Sequence, residues 1–283
     1  MEQEITEELL NSFKNYLFEQ EKSKATIQKY MRDLKKLVEF IAGRKLSKVL
    51  LVEYKDYLKN DKQYKTSSIN SFLAAANCLF EYAGWHELKV KTYKVQKKIF
   101  VLEERELSKN EYNKLVKTAM REGKCRIGMI IQTICATGIR VSELSAFTVA
   151  AVKRGVATIY NKGKERQILI PRALQVRLLQ YIRKKKMKDG PVFRTSNGNN
   201  VDRSWIWREM KKLCELAGVC KEKVFPHNLR HLFAKTFYMM YKDIVKLADI
   251  LGHNSIDTTR LYLRESYLQY QKQLERLNLV FRE

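Results

Sequence analysis

Apolar residues recur at helical spacing along most of the chain, with one stretch that alternates like a strand pair. Ile27, Tyr30, Met31, Leu34, Leu37, Val38 and Ile41 repeat at intervals of three and four, which predicts an amphipathic helix ending near Gly43. Ile69, Phe72, Leu73, Ala76, Leu79, Phe80 and Ala83 do the same and end at Gly84. Shorter helices are expected over Glu7 to Glu19 and Lys48 to Leu58. The three prolines are Pro171, Pro191 and Pro226, so none interrupts the first 170 residues. Four helices within about the first 85 residues, from Glu7 to Gly84, predict a small all-α domain with its own core.

Residues Glu87 to Lys98 hold five lysines, including Lys94, Lys97 and Lys98, and no apolar period. They read as an extended linker, either crossing a phosphate backbone or serving as a solvated tether. Ser108 and Glu111 form a capping box for a helix with apolar positions Tyr112, Leu115, Val116 and Ala119. Val156 to Tyr160 and Gln167 to Ile170 are β-prone runs flanking Asn161-Lys162-Gly163-Lys164, a hairpin with a lysine-bearing tip. Helices are expected at Ala173–Lys186, Trp205–Ala217, Leu229–Met240, Ile244–Leu251, Ile256–Leu263 and Tyr267–Leu277. The fold class is mainly α: a four-helix domain over 1–86, a basic linker over 87–104, and a mostly helical domain over 105–283 carrying a small antiparallel hairpin.

Charge narrows the function. The chain carries 55 Lys+Arg against 31 Asp+Glu, a net +24, spread over both halves. Self-repulsion on that scale favours a polyanionic partner, and nucleic acid fits best. The most apolar stretch, Ile127 to Ile139, is interrupted by Gln132 and Thr133, so no membrane span is expected. Met1-Glu2-Gln3-Glu4 has no secretory character. Cys78, Cys125, Cys135, Cys214 and Cys220 fit neither a zinc spacing nor a disulfide framework and read as reduced thiols of a cytoplasmic protein.

Four segments concentrate chemistry. In Thr137-Gly138-Ile139-Arg140-Val141-Ser142-Glu143-Leu144, Gly138 breaks a helix and Glu143 lies one turn from Arg140, where it can hold the guanidinium or form a plain surface pair. Lys162 and Lys164 flank Gly163 at the hairpin tip, where a lysine can swing into a cleft. In Pro226-His227-Asn228-Leu229-Arg230-His231, His227 and Arg230 share one face of a helix's first turn, while His231 points elsewhere as a packed core residue. Gly252 ends a helix before His253, and Tyr262 falls about two turns into the next.

These motifs, in this order over Thr137 to Tyr262, resemble the tyrosine recombinases, also called the phage integrase family. The four-helix part is similar to that family's core-binding domain. The resemblance implies that Tyr262 is the nucleophile that attacks the scissile phosphate and becomes a 3′-phosphotyrosine. Arg140 and Arg230 would clamp the non-bridging oxygens, and Lys162 would protonate the departing 5′-oxygen, with Lys164 as the alternative because the hairpin is one residue shorter than the family's. His227 would assist proton removal from Tyr262, His253 would hydrogen-bond the phosphate, and Glu143 would orient Arg140. A phenol with a pKa near ~10 needs such a base or cationic field. No metal, ATP or other cofactor is implied.

The implied partners are double-stranded DNA recombination sites and further copies of the chain, forming a tetramer on DNA, with an excision or bending protein as an accessory. Lys94, Lys97, Lys98 and Lys164 are the expected backbone contacts. No arm-binding domain is expected ahead of the four helices. The tail beyond Tyr262 either docks on a neighbouring subunit, the reading we favour, or packs on its own domain. Integration or excision of a mobile element is the leading role. Chromosome-dimer resolution, DNA inversion, a type IB topoisomerase and a non-catalytic DNA clamp are the alternatives.

Overall fold

The computed structural model describes residues 3–94, 106–161, 164–195, 197–263, 267–277 and 279, with backbone only at 161, 164, 267–270 and 273. They form two compact units divided near Lys97. Lys97, Lys98 and Lys162 lie outside the described residues, as does the side chain of Lys164.

The first unit contains α1 (Glu7–Glu19), α2 (Lys24–Ile41), α3 (Lys48–Asn60) and α4 (Thr66–Tyr82). Thr6, Ser23 and Ser47 cap the first three, each side chain accepting from an amide in the opening turn, a contribution of about 1 kcal/mol apiece. The apolar faces meet in a core of Phe13, Leu17, Leu34, Leu37, Leu51, Leu58, Leu73 and Phe80.

Its end differs from an open tether. After a 3-10 turn at His86–Leu88, Leu88 and Val90 are buried in this core. The Asn77 side-chain amide donates to the Val90 carbonyl and accepts from its N–H, both at 2.9 Å. Asn70 does the same for Tyr93 at 2.8 Å. Two asparagines on α4 thus replace a partner strand and satisfy the backbone of an extended segment. The pattern is hidden in sequence because side-chain amides, not an apolar period, fix the segment. Lys94 follows it and is exposed.

The second unit contains α5 (Lys109–Arg121), α6 (Cys125–Thr137), α7 (Val149–Arg154), the hairpin β1 (Val156–Asn161) and β2 (Lys164–Leu169), then α8 (Arg172–Lys184), α9 (Arg203–Ala217), α10 (Pro226–Tyr241), α11 (Ile244–Leu251), α12 (Ile256–Arg260) and α13 (Tyr267–Arg276). The hairpin is antiparallel, with Val156 opposite Leu169 and Asn161 opposite Lys164. Helix α6 is buried through Ile127, Ile130, Ile131 and Ile134 and packs on α5, α8 and α10. The Ser108–Glu111 capping box is formed in full. Helix α7, capped by Thr148, escaped the sequence pattern because its six residues span less than two turns. Among the described residues no helix is long and apolar enough to cross a membrane.

Candidate active site

Helix α6 stops at Gly138, which takes the left-handed conformation (φ 66°). A Cβ here would lie 2.5 Å from the Phe233 ring. Glycine therefore serves both the turn and the close approach of α10. The chain leaves that turn in an extended residue, Arg140, and enters a 3-10 turn over Val141–Ala146.

Glu143 turns back on that entry. Its Oε2 accepts from the Arg140 backbone N–H at 2.7 Å and its Oε1 from Arg140 Nη1 at 3.0 Å. Only 6 % of Glu143 is exposed, against 38 % of the Arg140 side chain, so this is a buried anchor holding an accessible guanidinium rather than a surface pair.

Helix α10 begins with Pro226 at its first position, where the missing N–H costs nothing. That places His227 and Arg230 in the opening turns. Arg230 is 2 % exposed. It donates from Nη1 to the Gly138 carbonyl at 2.6 Å and from Nη2 to the Leu251 carbonyl and His253 Nε2, both at 2.8 Å. All three acceptors are neutral, so the positive charge is fixed in place without being cancelled. Its Nε is buried and has no hydrogen-bond partner among the described residues.

A guanidinium only donates, so His253 Nε2 accepts and the ring proton sits on Nδ1. There it donates to Oγ1 of the fully buried Thr259 at 2.8 Å. Burial first, then Arg230 and Arg140, push the His253 pKa down to about 4. In this arrangement Nε2 has no proton to give a phosphate; it orients Arg230 instead.

Tyr262 lies beyond α12, not within it. The helix ends at Arg260, and the Tyr262 and Leu263 amides bond three residues back, a tightened turn that follows Thr259's anchorage to His253. The nearly buried Tyr262 ring is stacked on His253 at 5.4 Å and tilted against His227 at 5.2 Å and His231 at 5.5 Å. The Arg230 guanidinium lies 5.9 Å from the ring centre. His231 thus faces the tyrosine rather than a core elsewhere, because the first turns of α10 present residues 227, 230 and 231 to the same pocket. Burial leads in lowering the pKa of both His227 and His231; Arg230 and Arg140 add to it at His227.

Arg140, His227, Arg230, His253 and Tyr262 line one open cleft of about 760 Å³. Two fixed cations and three imidazoles around one phenol form a site for a phosphate oxyanion and a proton-losing nucleophile. Among the described residues no group of three or more His, Cys, Asp or Glu is placed to hold a metal ion.

The model of the phage integrase family matches residues 105–269, more than half of the chain. The chain belongs to the phage integrase family. The integrase N-terminal SAM-like domain matches residues 10–87. The chain is 29 % identical over 289 residues to the tyrosine recombinase XerA of Pyrococcus furiosus, covering 99 % of this chain and 97 % of that protein. It is 30 % identical over 268 residues to the tyrosine recombinase XerC of Herpetosiphon aurantiacus, covering 85 % of each. In fold it is similar to the recombinase XerH in a pre-cleavage complex with its difH substrate (TM-score 0.69, 19 % identity, 95 % and 84 % coverage). It is also similar to a lambda integrase dimer bound to a core site (TM-score 0.71, 15 % identity, 91 % and 94 % coverage).

Three residues of this cluster were missed by sequence reading: His231, Thr259 and Arg166. Arg166 has a readable signal. Strand alternation puts it on the same face as Ile168 and Ile170, which are buried, so a charge there demands a partner. His231 and Thr259 carry no comparable signal, since their roles depend on the turn that brings Tyr262 back.

Proposed function

We propose that this phage integrase family member is a site-specific DNA recombinase whose nucleophile is Tyr262. The phenolic oxygen attacks the scissile phosphorus, a phosphorus–oxygen bond to Tyr262 forms, and the bond to the 5′-oxygen breaks. Arg140 and Arg230 neutralise the charge that grows on the non-bridging oxygens. The phenolic proton passes to His227, kept neutral by its depressed pKa. The departing 5′-oxygen takes a proton from the hairpin acid, Lys162, with Lys164 as the second candidate. Rejoining is the reverse, with a 5′-hydroxyl of the partner strand displacing the tyrosine.

The observation that carries this reading is the convergence on one phenol of His227, Arg230 and His231 from the first turns of α10 and of His253 from the turn after α11. DNA recombination sites are the substrate we assign, supported by the net charge of +24 and by similarity to recombinases whose structures are DNA complexes. We assign assembly between copies of the chain on DNA, with the tail docked in trans. Supporting this, Leu274, Leu277 and Leu279 at the end of α13 and beyond are exposed in the single chain. Residence in the cytoplasm fits five free cysteines.

The test is incubation with nicked DNA carrying the element's own junction. Wild-type protein is expected to form a covalent complex that survives denaturant, and Tyr262→Phe to abolish it while binding DNA within about 3-fold of wild type, since only a phenolic oxygen is lost. A complex still formed by Tyr262→Phe removes the nucleophile assignment. Two sites on one plasmid then separate strand exchange from simple relaxation.

A further inference from the structure

We propose that Arg166 is a positioning residue of this reaction, acting through Glu143 on Arg140 and through the α11 C-terminus on the turn that carries His253. The inference rests on the recombinase reading above and adds a residue to it.

Arg166 sits on β2 opposite Ile159, on the inward face of the hairpin, with its side chain only 16 % exposed. Its guanidinium forks. Nη2 donates to Glu143 Oε2 at 2.8 Å, the oxygen that also takes the Arg140 backbone N–H. Nη1 donates to the Ile250 carbonyl at 2.7 Å, one of the acceptors a helix end leaves unpaired. Gly252 makes room for it: a Cβ at Gly252 would come within 2.7–2.9 Å of Arg166 Nη1, Cδ and Cζ. One side chain thereby ties together the hairpin, the Arg140–Glu143 anchor and the Leu251-Gly252-His253 turn.

Charge gives the arrangement a second consequence. Glu143 alone would cancel Arg140. With Arg166 on the same carboxylate, two cations share one anion, so the cluster keeps one net positive charge while Arg140 stays clamped. Its accessible guanidinium remains oriented and still attracts phosphate. A lysine at 166 restores the charge but cannot reach both acceptors in a fork.

The experiment is single-turnover cleavage of nicked site DNA at saturating protein, with DNA affinity and thermal melting measured alongside. Arg166→Gln is expected to slow covalent complex formation roughly 10- to 100-fold, the range for residues that orient a ligating group, with DNA affinity nearly unchanged. Arg166→Lys is expected to recover part of the rate. The double variant Arg166→Gln/Glu143→Gln is expected to lose less than the product of the two single losses, because both residues act on the Arg140 guanidinium while Arg166 alone also holds the end of α11.

A folded Arg166→Gln that cleaves at the wild-type rate overturns the proposal, and so do losses that multiply in the double variant. If Arg166→Gln does not fold, Arg166→Lys decides: wild-type cleavage by it would mean that the fork is dispensable. Failure of the wild-type protein itself to form a complex counts against the recombinase reading instead.

Discussion

The two sides of the cleft are built differently. On the side we assign to the phosphate, Arg140 and Arg230, with Arg166 in the neighbouring cavity, each hold fixed polar partners, a buried carboxylate or helix-end carbonyls. Their elements belong to the large core around α6. On the other side, Tyr262 follows a five-residue helix and packs in a satellite cluster with Ala234, Leu247 and Leu251. Ring contacts with three histidines hold it, each worth about 0.5–1.5 kcal/mol for an aromatic pair. The cations are therefore preorganised, whereas Tyr262, the nucleophile proposed above, rests on contacts that are each weak. Under the proposed mechanism, in which Tyr262 is later displaced from the DNA, that asymmetry is an advantage.

The asymmetry predicts unequal responses to mutation. Arg230→Lys should have the largest effect, slowing single-turnover cleavage about 10²–10³-fold, because an ammonium cannot span Gly138, Leu251 and His253 in one plane. A loss under 10-fold would show that the phosphate side is not preorganised. Gly138→Ala should come next, destabilising the second unit by about 2–4 kcal/mol in urea unfolding, from the positive φ together with overpacking against Phe233. Gly43→Ala, where nothing lies within 4 Å of the added carbon, should cost only about 1 kcal/mol. Equal losses would mean that packing against α10 does not matter. Thr259→Val, nearly the same shape, removes the acceptor for His253 Nδ1–H and should cost about 1–2 kcal/mol in the same assay.

Much of this layout is legible before any coordinates. Three- and four-residue apolar spacing located α2 and α4, and the ordered motifs singled out Arg140, His227, Arg230, His253 and Tyr262, all of which line one cleft. What escaped reading depends on tertiary neighbours. Asn70 and Asn77 look like ordinary polar helix residues until a strand-like segment lies along them. His231 shares the Tyr262 ring with His227, and that ring is brought back by a turn that the helical pattern does not show. Tyr262 was expected two turns into a helix, and the Thr259–His253 hydrogen bond accompanies a shortened α12 that sequence periodicity does not report.

Proton binding gives the smallest and most diagnostic test. His227, His231 and His253 all have pKa values below the ordinary 6.5, with burial as the leading cause. Arg230 and Arg140 face His227 and His253, joined at His253 by Arg166 and His227. At His231, Lys235 and His227 lower the value while Glu106 opposes them. In the unfolded chain these imidazoles titrate near 6.5, so below that pH the unfolded state binds more protons and stability falls as the pH drops. For His253 the loss runs from about 6.5 down to about 4. Cleavage should therefore stay level from pH 8 to 6.5 and decline only in more acid solution, as His227 loses its free lone pair. Imidazole titration by NMR reads the cause directly. In Arg140→Gln the His227 and His253 values should rise yet remain below 6.5, since burial, the larger cause, is untouched. A wild-type His253 that titrates at 6.5 would mean that its Nε2 is not held by Arg230, and the phosphate side would lose one of the bonds that distinguish it from the tyrosine side.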